Sequence, residues 1–206
     1  MPIEVLTTFV LASIVLGLAP GPDNLFVLTQ SALHGRKAGL LVTLGLCSGL
    51  IVHTSAVALG VAAIFQTSEA AFTVLKMVGA GYLIYLAWGA FKASASKIAG
   101  QTPKLSNMAL YRRGIVMNIT NPKVSIFFLA FLPQFASSQY GAIAPQIFLL
   151  GGLFILVTLV VFGSIAILAG TLGGWLKSSP SSQIYLNRIA GTIFAGLAIK
   201  LMTTQQ

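Results

Sequence analysis

The chain has 206 residues, of which 56% are hydrophobic and only 7% charged, and its mean hydropathy is +0.92. A soluble domain carries roughly 25% charged residues to cover its surface, so this composition excludes a water-coated globule and leaves lipid as the solvent. The net charge of +9 would suggest nucleic acid in a soluble protein, but here the bases lie between apolar segments, the pattern of cytoplasmic membrane loops, and no nucleic-acid partner is expected.

A helical span needs about 20 apolar residues, so six spans nearly fill the chain as a single transmembrane domain over 1–206. The expected fold is all-α and polytopic. The first apolar segment runs from Ile3 to Leu33, too long for one straight helix, and is interrupted at Pro20-Gly21-Pro22. Its start, Met1-Pro2-Ile3-Glu4, lacks the basic n-region of a cleavable signal peptide, so the segment is expected to be retained as a span. The second runs from about Ala38 to Phe65 and the third from about Ala70 to Phe91. A basic connector follows, about 92–113. The fourth, about Gly114 to Leu132, is interrupted at Asn121-Pro122; the fifth is about Ala144 to Ala169 and the sixth about Ile184 to Met202.

Lysine and arginine in the short loops set orientation. Arg36 and Lys37 follow the first span, Lys92, Lys97, Lys104, Arg112 and Arg113 follow the third, and Lys177 follows the fifth, with Arg188 just inside the sixth. The second loop offers Glu69 and no base, and the stretch 133–144 has no charge. The odd-numbered loops are therefore expected in the cytoplasm, with both termini on the far side.

The halves 1–92 and 113–206 share a layout: a proline-broken helix, a Gly-rich helix, and a span entered through a Gly-containing stretch. Pro22 corresponds to Pro122, and Gly81 to Gly191. Three spans per half give the second half the opposite topology, the construction of inverted-repeat secondary transporters whose broken helices meet near the midplane. A proline removes an amide donor and frees the carbonyl one turn back. Bare backbone is tolerated at that depth only inside protein or against a wet cavity. Pro20, Gly21, Pro22 and Pro122 thus mark a central polar site.

Counting depth sharpens this. Asp23 stands 13 residues before Arg36, and Lys123 stands 10 after Arg113. At about 1.5 Å per helical residue each is roughly 15–20 Å from the basic side, near the bilayer centre. An isolated charge there costs about 2.5–3.5 kcal/mol, which a mutual pair or the amides of Asn24, Asn118 and Asn121 would offset. Asp23 and Lys123 are expected to line a transport site, Asp23 meeting an ammonium or exchanging a proton and Lys123 meeting a carboxylate. The alternative is an ion pair that only ties the halves together.

His53 is a second candidate for proton coupling, or a histidine merely hydrogen bonded in its helix. Gln30, with Thr29 and Ser31, follows the first break and is placed to line an inner vestibule, although hydroxyls also bond to helix carbonyls. Gly45 and Gly49 form a GxxxG that allows close helix approach, within the fold or between two copies in a homodimer. Lys76 is expected to snorkel outward, and Tyr82, Tyr85 and Trp88 read as interface or packing aromatics. The single Cys47 allows no intrachain disulfide or thiolate cluster, and no cofactor is implied.

Pro20-Gly21-Pro22-Asp23-Asn24 after an apolar first helix resembles the opening of the LysE-type amino-acid exporters. So do Gly35-Arg36-Lys37-Ala38-Gly39 with Gly45 and Gly49, Gly79-Ala80-Gly81-Tyr82-Leu83, and the stretch from Gly114 to Phe135 with Asn118, Asn121-Pro122-Lys123 and Leu132-Pro133-Gln134-Phe135. The likeness covers nearly the whole chain and looks closest to the homoserine/threonine-resistance branch. It implies efflux of amino acids or close relatives across the bacterial inner membrane, which makes both termini periplasmic, driven by the proton-motive force. Asp23 and Lys123 match the family pattern. The family's fold resembles that of a redox carrier family with broken helices, but this chain lacks that family's cysteine pair.

The expected function is therefore amino-acid export by proton antiport, by a protein that is not an enzyme. The rival is a heavy-metal or other cation exporter of a related branch, which would want several soft or carboxylate ligands together, where Asp23, His53 and Cys47 form a thin set. A membrane enzyme would need a nucleophile and base that the sequence does not show, and a non-transporting scaffold would leave Asp23 and Lys123 as a structural pair.

Overall fold

A computed structural model describes residues 1–19, 21–67, 69–93, 104–178 and 180–203, and these are helical with no strand among them. Pro20 and the connector positions 94–103, Lys97 included, lie outside the described residues, as do the side chains of Glu69, Lys76 and Lys177. In chain order the elements are α1 (Ile3–Leu18), α2 (Pro22–His34), α3 (Arg36–Thr67), α4 (Glu69–Lys92), α5 (Asn107–Thr120), α6 (Pro122–Ile126), α7 (Ile143–Ser178) and α8 (Pro180–Thr203). From α6 the chain winds on through a π turn at Phe127–Phe131 and 3-10 turns at Leu132–Phe135 and Ser138–Tyr140.

The proline breaks fall where the sequence puts them. Pro22 and Pro122 each take the first position of a new helix, where a missing N–H costs nothing. The residue before a proline is driven out of the helical region, and Gly21 and Asn121 are both extended. α1 and α2 meet at 61°, and α5 and the segment Pro122–Phe135 at 51°. Each pair is apolar and long enough to cross a membrane as one bent span, and Arg36–Gly60 and Ile143–Ala169 are long and apolar enough on their own. α4 and α8 each have 24 residues, about 36 Å at ~1.5 Å per residue.

Small residues set the register. α3 and α7 run antiparallel: a Cβ on Gly39 would stand 3.0 Å from Ala166, and one on Gly151 would run into Thr54. The broken helices follow these two. Phe9 of α1 lies 6.5 Å from Phe154 of α7, Gly17 faces Val161, and Val27 of α2 shares a cluster with Phe162 and Ala166. The chain therefore keeps advancing along α7 through its break and does not turn back as a re-entrant loop. Likewise Gly114 and Asn118 of α5 face Gly45 and Gly49 of α3, and beyond the break the Phe128 ring lies 5.5 Å from His53. α4 and α8 pair antiparallel, Gly191 against the Ala87 carbonyl and Asn187 donating to the Ala93 carbonyl at 3.5 Å. These registers gather Arg36, Lys37, Lys92, Arg112, Arg113 and Arg188 at one end of the bundle.

The GxxxG of α3 serves the fold itself. A Cβ on Gly45 would collide with the Tyr111 carbonyl and stand 3.0 Å from the Gly114 Cα, and one on Gly49 would stand 2.7 Å from Asn118. Two apolar clusters fill the interior. One holds Phe9, Leu16, Ala19, Val124, Phe127 and Phe154, and the other Val27, Val42, Leu46, Val161 and Ala166. The breaks lie at the seam between them.

Since backbones meet at Gly45, Gly45→Val should destabilise the protein by about 1–3 kcal/mol, the usual cost of overpacking. Gly60→Ala, whose new methyl would meet nothing within 4 Å, should leave the melting temperature in detergent unchanged. Equal melting temperatures for the two variants would refute the crossing.

Candidate functional site

A helix that stops inside oil leaves its last carbonyls without donors, and each such group in hydrocarbon costs several kcal/mol. The end of α1 shows how this chain resolves the problem. Lys123, partly buried, reaches across from α6 and donates its Nζ to the carbonyls of Ala19 at 2.9 Å and Leu16 at 3.1 Å. Asn24 Nδ2 donates to the Gly17 carbonyl at 2.6 Å. An ammonium at a helix C-terminus also meets the negative end of the helix dipole.

Asp23 is 4% exposed and lies in the first turn of α2, at the positive end of that helix. Its Oδ2 accepts the Asn121 amide at 2.9 Å. Asn121 Oδ1 in turn accepts the Lys123 backbone N–H at 3.0 Å, capping α6. One amide thus caps a helix of its own half and holds the carboxylate of the other. The two ions are joined through Asn121, each set against a helix end, where a direct ion pair was one expectation.

The cluster has acceptors to spare. Asp23 Oδ1, Asn24 Oδ1 and Asn118 Oδ1 are buried with no hydrogen-bond partner. The Asn24 amide cannot simply turn round, because its nitrogen is already committed to Gly17. Gly21 packs closely against this group: a Cβ there would stand 3.2 Å from Lys123 Nζ and 3.8 Å from Asn24 Oδ1. Lys123 has three N–H donors, of which the two carbonyls take two.

The structure therefore brings together Asp23, Asn24, Asn121 and Lys123, around Gly21, Pro22 and Pro122. Asn118 sits one turn before the second break, and its carbonyl accepts from His53 Nε2 at 3.2 Å. His53 thereby caps the end of α5 much as Lys123 caps the end of α1. Gln30 is fully buried two turns along α2 from Asp23. Thr29 and Ser31 are buried beside it, with the Ser31 hydroxyl bonded back to the Val27 carbonyl at 2.7 Å. Trp88 is exposed beneath the Lys92 ammonium, 4.5 Å from its ring centroid. Sequence reasoning missed the carbonyls of Leu16, Gly17 and Ala19 as functional groups. The Pro-Gly-Pro break was the signal for them, since it dictates which carbonyls lose their donors.

The model of the LysE type translocator family matches residues 14–205. The homoserine/homoserine lactone efflux protein of Salmonella typhimurium is 35% identical over 189 residues, covering 90% of each chain. An uncharacterized membrane protein of Vibrio cholerae is 31% identical over 206 residues, the full length of both chains. Another, from Bacillus subtilis, is 30% identical over 193 residues, covering 89% of this chain and 91% of its own. No solved structure matches. With a family model spanning almost all of its length and relatives of this identity, the chain belongs to the LysE type translocators, a family of amino-acid exporters.

Proposed function

We propose that the protein exports a small zwitterionic amino acid or a close derivative in exchange for protons, across six spans arranged as two inverted three-helix repeats. The observation that carries this reading is the polar seam at the two breaks, where an ammonium with a spare donor and buried acceptors without donors stand close around Gly21. A zwitterion complements both. Its carboxylate would be drawn to Lys123, and its ammonium would supply donors to Asp23 Oδ1 and Asn24 Oδ1. The efflux relatives, whose name specifies homoserine and its lactone, support a substrate of this size.

Several features support the repeats. α3 pairs with α7 and α4 with α8, as mates across a two-fold axis would. Asn118 meets Gly49 of α3 as Gly17 meets Val161 of α7. The basic end of the bundle would face the cytoplasm, with both termini in the periplasm of a bacterial inner membrane. Asp23 and His53, each bonded at one of the two breaks, are the proposed proton carriers; Gln30 and Asn118 would extend the polar lining. For the rival, a metal exporter, no group of three His, Cys, Asp or Glu that could hold an ion occurs among the described residues.

In inverted membrane vesicles an imposed proton gradient should drive accumulation of labelled homoserine or threonine, and a protonophore should abolish it. Accumulation that ignores the gradient would remove antiport. Asp23→Asn keeps the shape of the site and should lower transport at least about 10-fold while the melting temperature stays near that of the parent; parent-like transport would leave Asp23 a structural role only. Gly21→Ala puts a methyl where the substrate is proposed to sit, and should likewise lower transport about 10-fold at normal membrane levels. An active Gly21→Ala protein would move the binding position elsewhere.

A further inference from the structure

On the side of the breaks away from the basic end, aromatic rings form one connected cluster. Phe9 of α1 meets Phe127, Phe135 and Phe154, with centroids 6.2, 5.2 and 6.5 Å away. Phe127 lies 4.9 Å from Phe131 and 5.2 Å from Phe154. Phe128 lies 5.1 Å from Phe154, and Phe131 lies 5.0 Å from Phe135. The rings come from α1, from α7 and from the turns after α6, and all but Phe135 are buried.

The other side of the breaks is filled differently. With Pro22 set against Pro122, the stretch Phe127-Phe128-Leu129-Ala130-Phe131 stands where the first half has Val27-Leu28-Thr29-Gln30-Ser31. The second-half stretch is a π turn carrying three of the rings, and it leads from its break away from the basic end. The first-half stretch continues as regular α-helix toward Arg36, with Thr29, Gln30 and Ser31 buried. Hydroxyls and an amide thus follow one break, and interlocked rings follow the other.

We infer that the ring cluster is the exit gate of the exporter and that the π turn is the hinge that parts it. The inference rests on the export reading above and adds to it where the path is shut. A zwitterion leaving the seam away from the basic end must pass the level at which rings from three elements are in contact. Ring contacts can be parted without stripping any N–H or C=O of its partner, unlike the capped carbonyls at the breaks. The π turn holds one residue more than an α-helical turn: the Leu132 N–H bonds to the Phe127 carbonyl five residues back. Rewinding it as α-helix would turn the segments on its two sides against each other by about 100°, with a shift of roughly 1.5 Å. Phe127 and Phe128 would then rotate relative to Phe135. The backbone beyond is already loosely held, since Pro133 brings no amide and Gln134 donates its side chain to the Ala130 carbonyl at 3.3 Å. Leu129, exposed on the outer face of the turn, leaves that rotation unobstructed.

The test uses one reporter thiol. Ala12 of α1 is buried one turn from Phe9, on the seam side of the rings, and Cys47, the single cysteine, is removed as Cys47→Ala. In right-side-out membrane vesicles the Ala12→Cys protein should react slowly with a membrane-impermeant maleimide. Adding Phe131→Ala should speed labelling at least about 10-fold by raising the population of the open state. Phe162→Ala, which removes the same ring from the other cluster, should leave the rate as it was. Loading the vesicles with homoserine, with acid outside, should speed labelling several-fold. Deletion of Leu129 takes the extra residue out of the π turn; the protein should melt near the parent's temperature, label slowly even when loaded, and export homoserine about 10-fold more slowly. Equal labelling after Phe131→Ala and Phe162→Ala would make the rings core packing alone and overturn the gate, and parental efflux from the deletion variant would overturn the hinge. If the vesicles export labelled homoserine while loading never speeds labelling, the gate falls and the export reading stands. If no homoserine is exported, both fall. Should the deletion variant fail to reach the membrane, the two ring variants and the loaded vesicles decide.

Discussion

The structure depends on one constraint: a helix interrupted inside a membrane must find donors for the carbonyls it frees and acceptors for the amides it exposes. The chain breaks two helices side by side and meets the demand across the seam between its halves. Lys123, from the second half, caps α1 of the first. Asn121, from the second half, holds Asp23 of the first. His53, from the first, caps α5 of the second. These bonds, with those of Ser48 to Tyr111 and of Asn187 to the Ala93 carbonyl, tie the two halves together. In the proposed cycle they are also what must be exchanged when one half moves against the other.

Much of this was legible in the residues. Pro22 and Pro122 fix both breaks, because a proline that cannot accept a helical predecessor is a local fact. Counting residues from Arg36 and Arg113 set Asp23 and Lys123 at one level, because rise per residue is fixed, and in the structure the two stand at the adjoining breaks, linked through Asn121. The partner of the acid was among those the residues offered, since Asn121 stood beside Asn24, Asn118 and Lys123 as a candidate. The partners of the base were not legible: only the placement of α1 against α6 reveals that freed carbonyls compete for the ammonium. Nor could Gly45 and Gly49 disclose their partner, since a stripe of small residues permits close approach without naming what approaches; here it is α5. The π turn at Phe127–Phe131 left no mark in a run of aromatics that reads equally well as regular helix. The misses on the ammonium and on the glycines lie at the tertiary level, where the answer depends on a distant residue, 107 positions away for Lys123 and Leu16.

The division between straight and broken helices follows from where glycine and proline stand. α3 and α7 carry their glycines at crossings, where the missing side chain brings two helices together without interrupting either. The broken helices carry prolines at the seam, where one apolar cluster ends and the other begins. A break placed within either cluster would have exposed backbone to Phe or Leu side chains that offer no hydrogen bonds. Placed at the seam, it is served by the amides and charges of both halves.

Setting each ion against a helix end has a further consequence. A direct Asp–Lys pair in a low-dielectric interior is costly to separate, and a ligand that had to break it would face that cost before gaining anything. Lys123 bonded to two neutral carbonyls, and Asp23 to a neutral amide, keep their charges favourably placed while leaving a donor and an acceptor unused. The site is then neutral as a whole, one acid with one base, and a zwitterion that enters it is also neutral. While Asp23 stays ionised, a zwitterion enters or leaves the seam without changing its net charge, and in the proposed exchange only the returning proton adds a charge. A cationic or anionic substrate would change that charge on every turnover and pay the insertion cost of an unmatched ion. In the proposed cycle this charge balance favours a zwitterion over an ion of either sign.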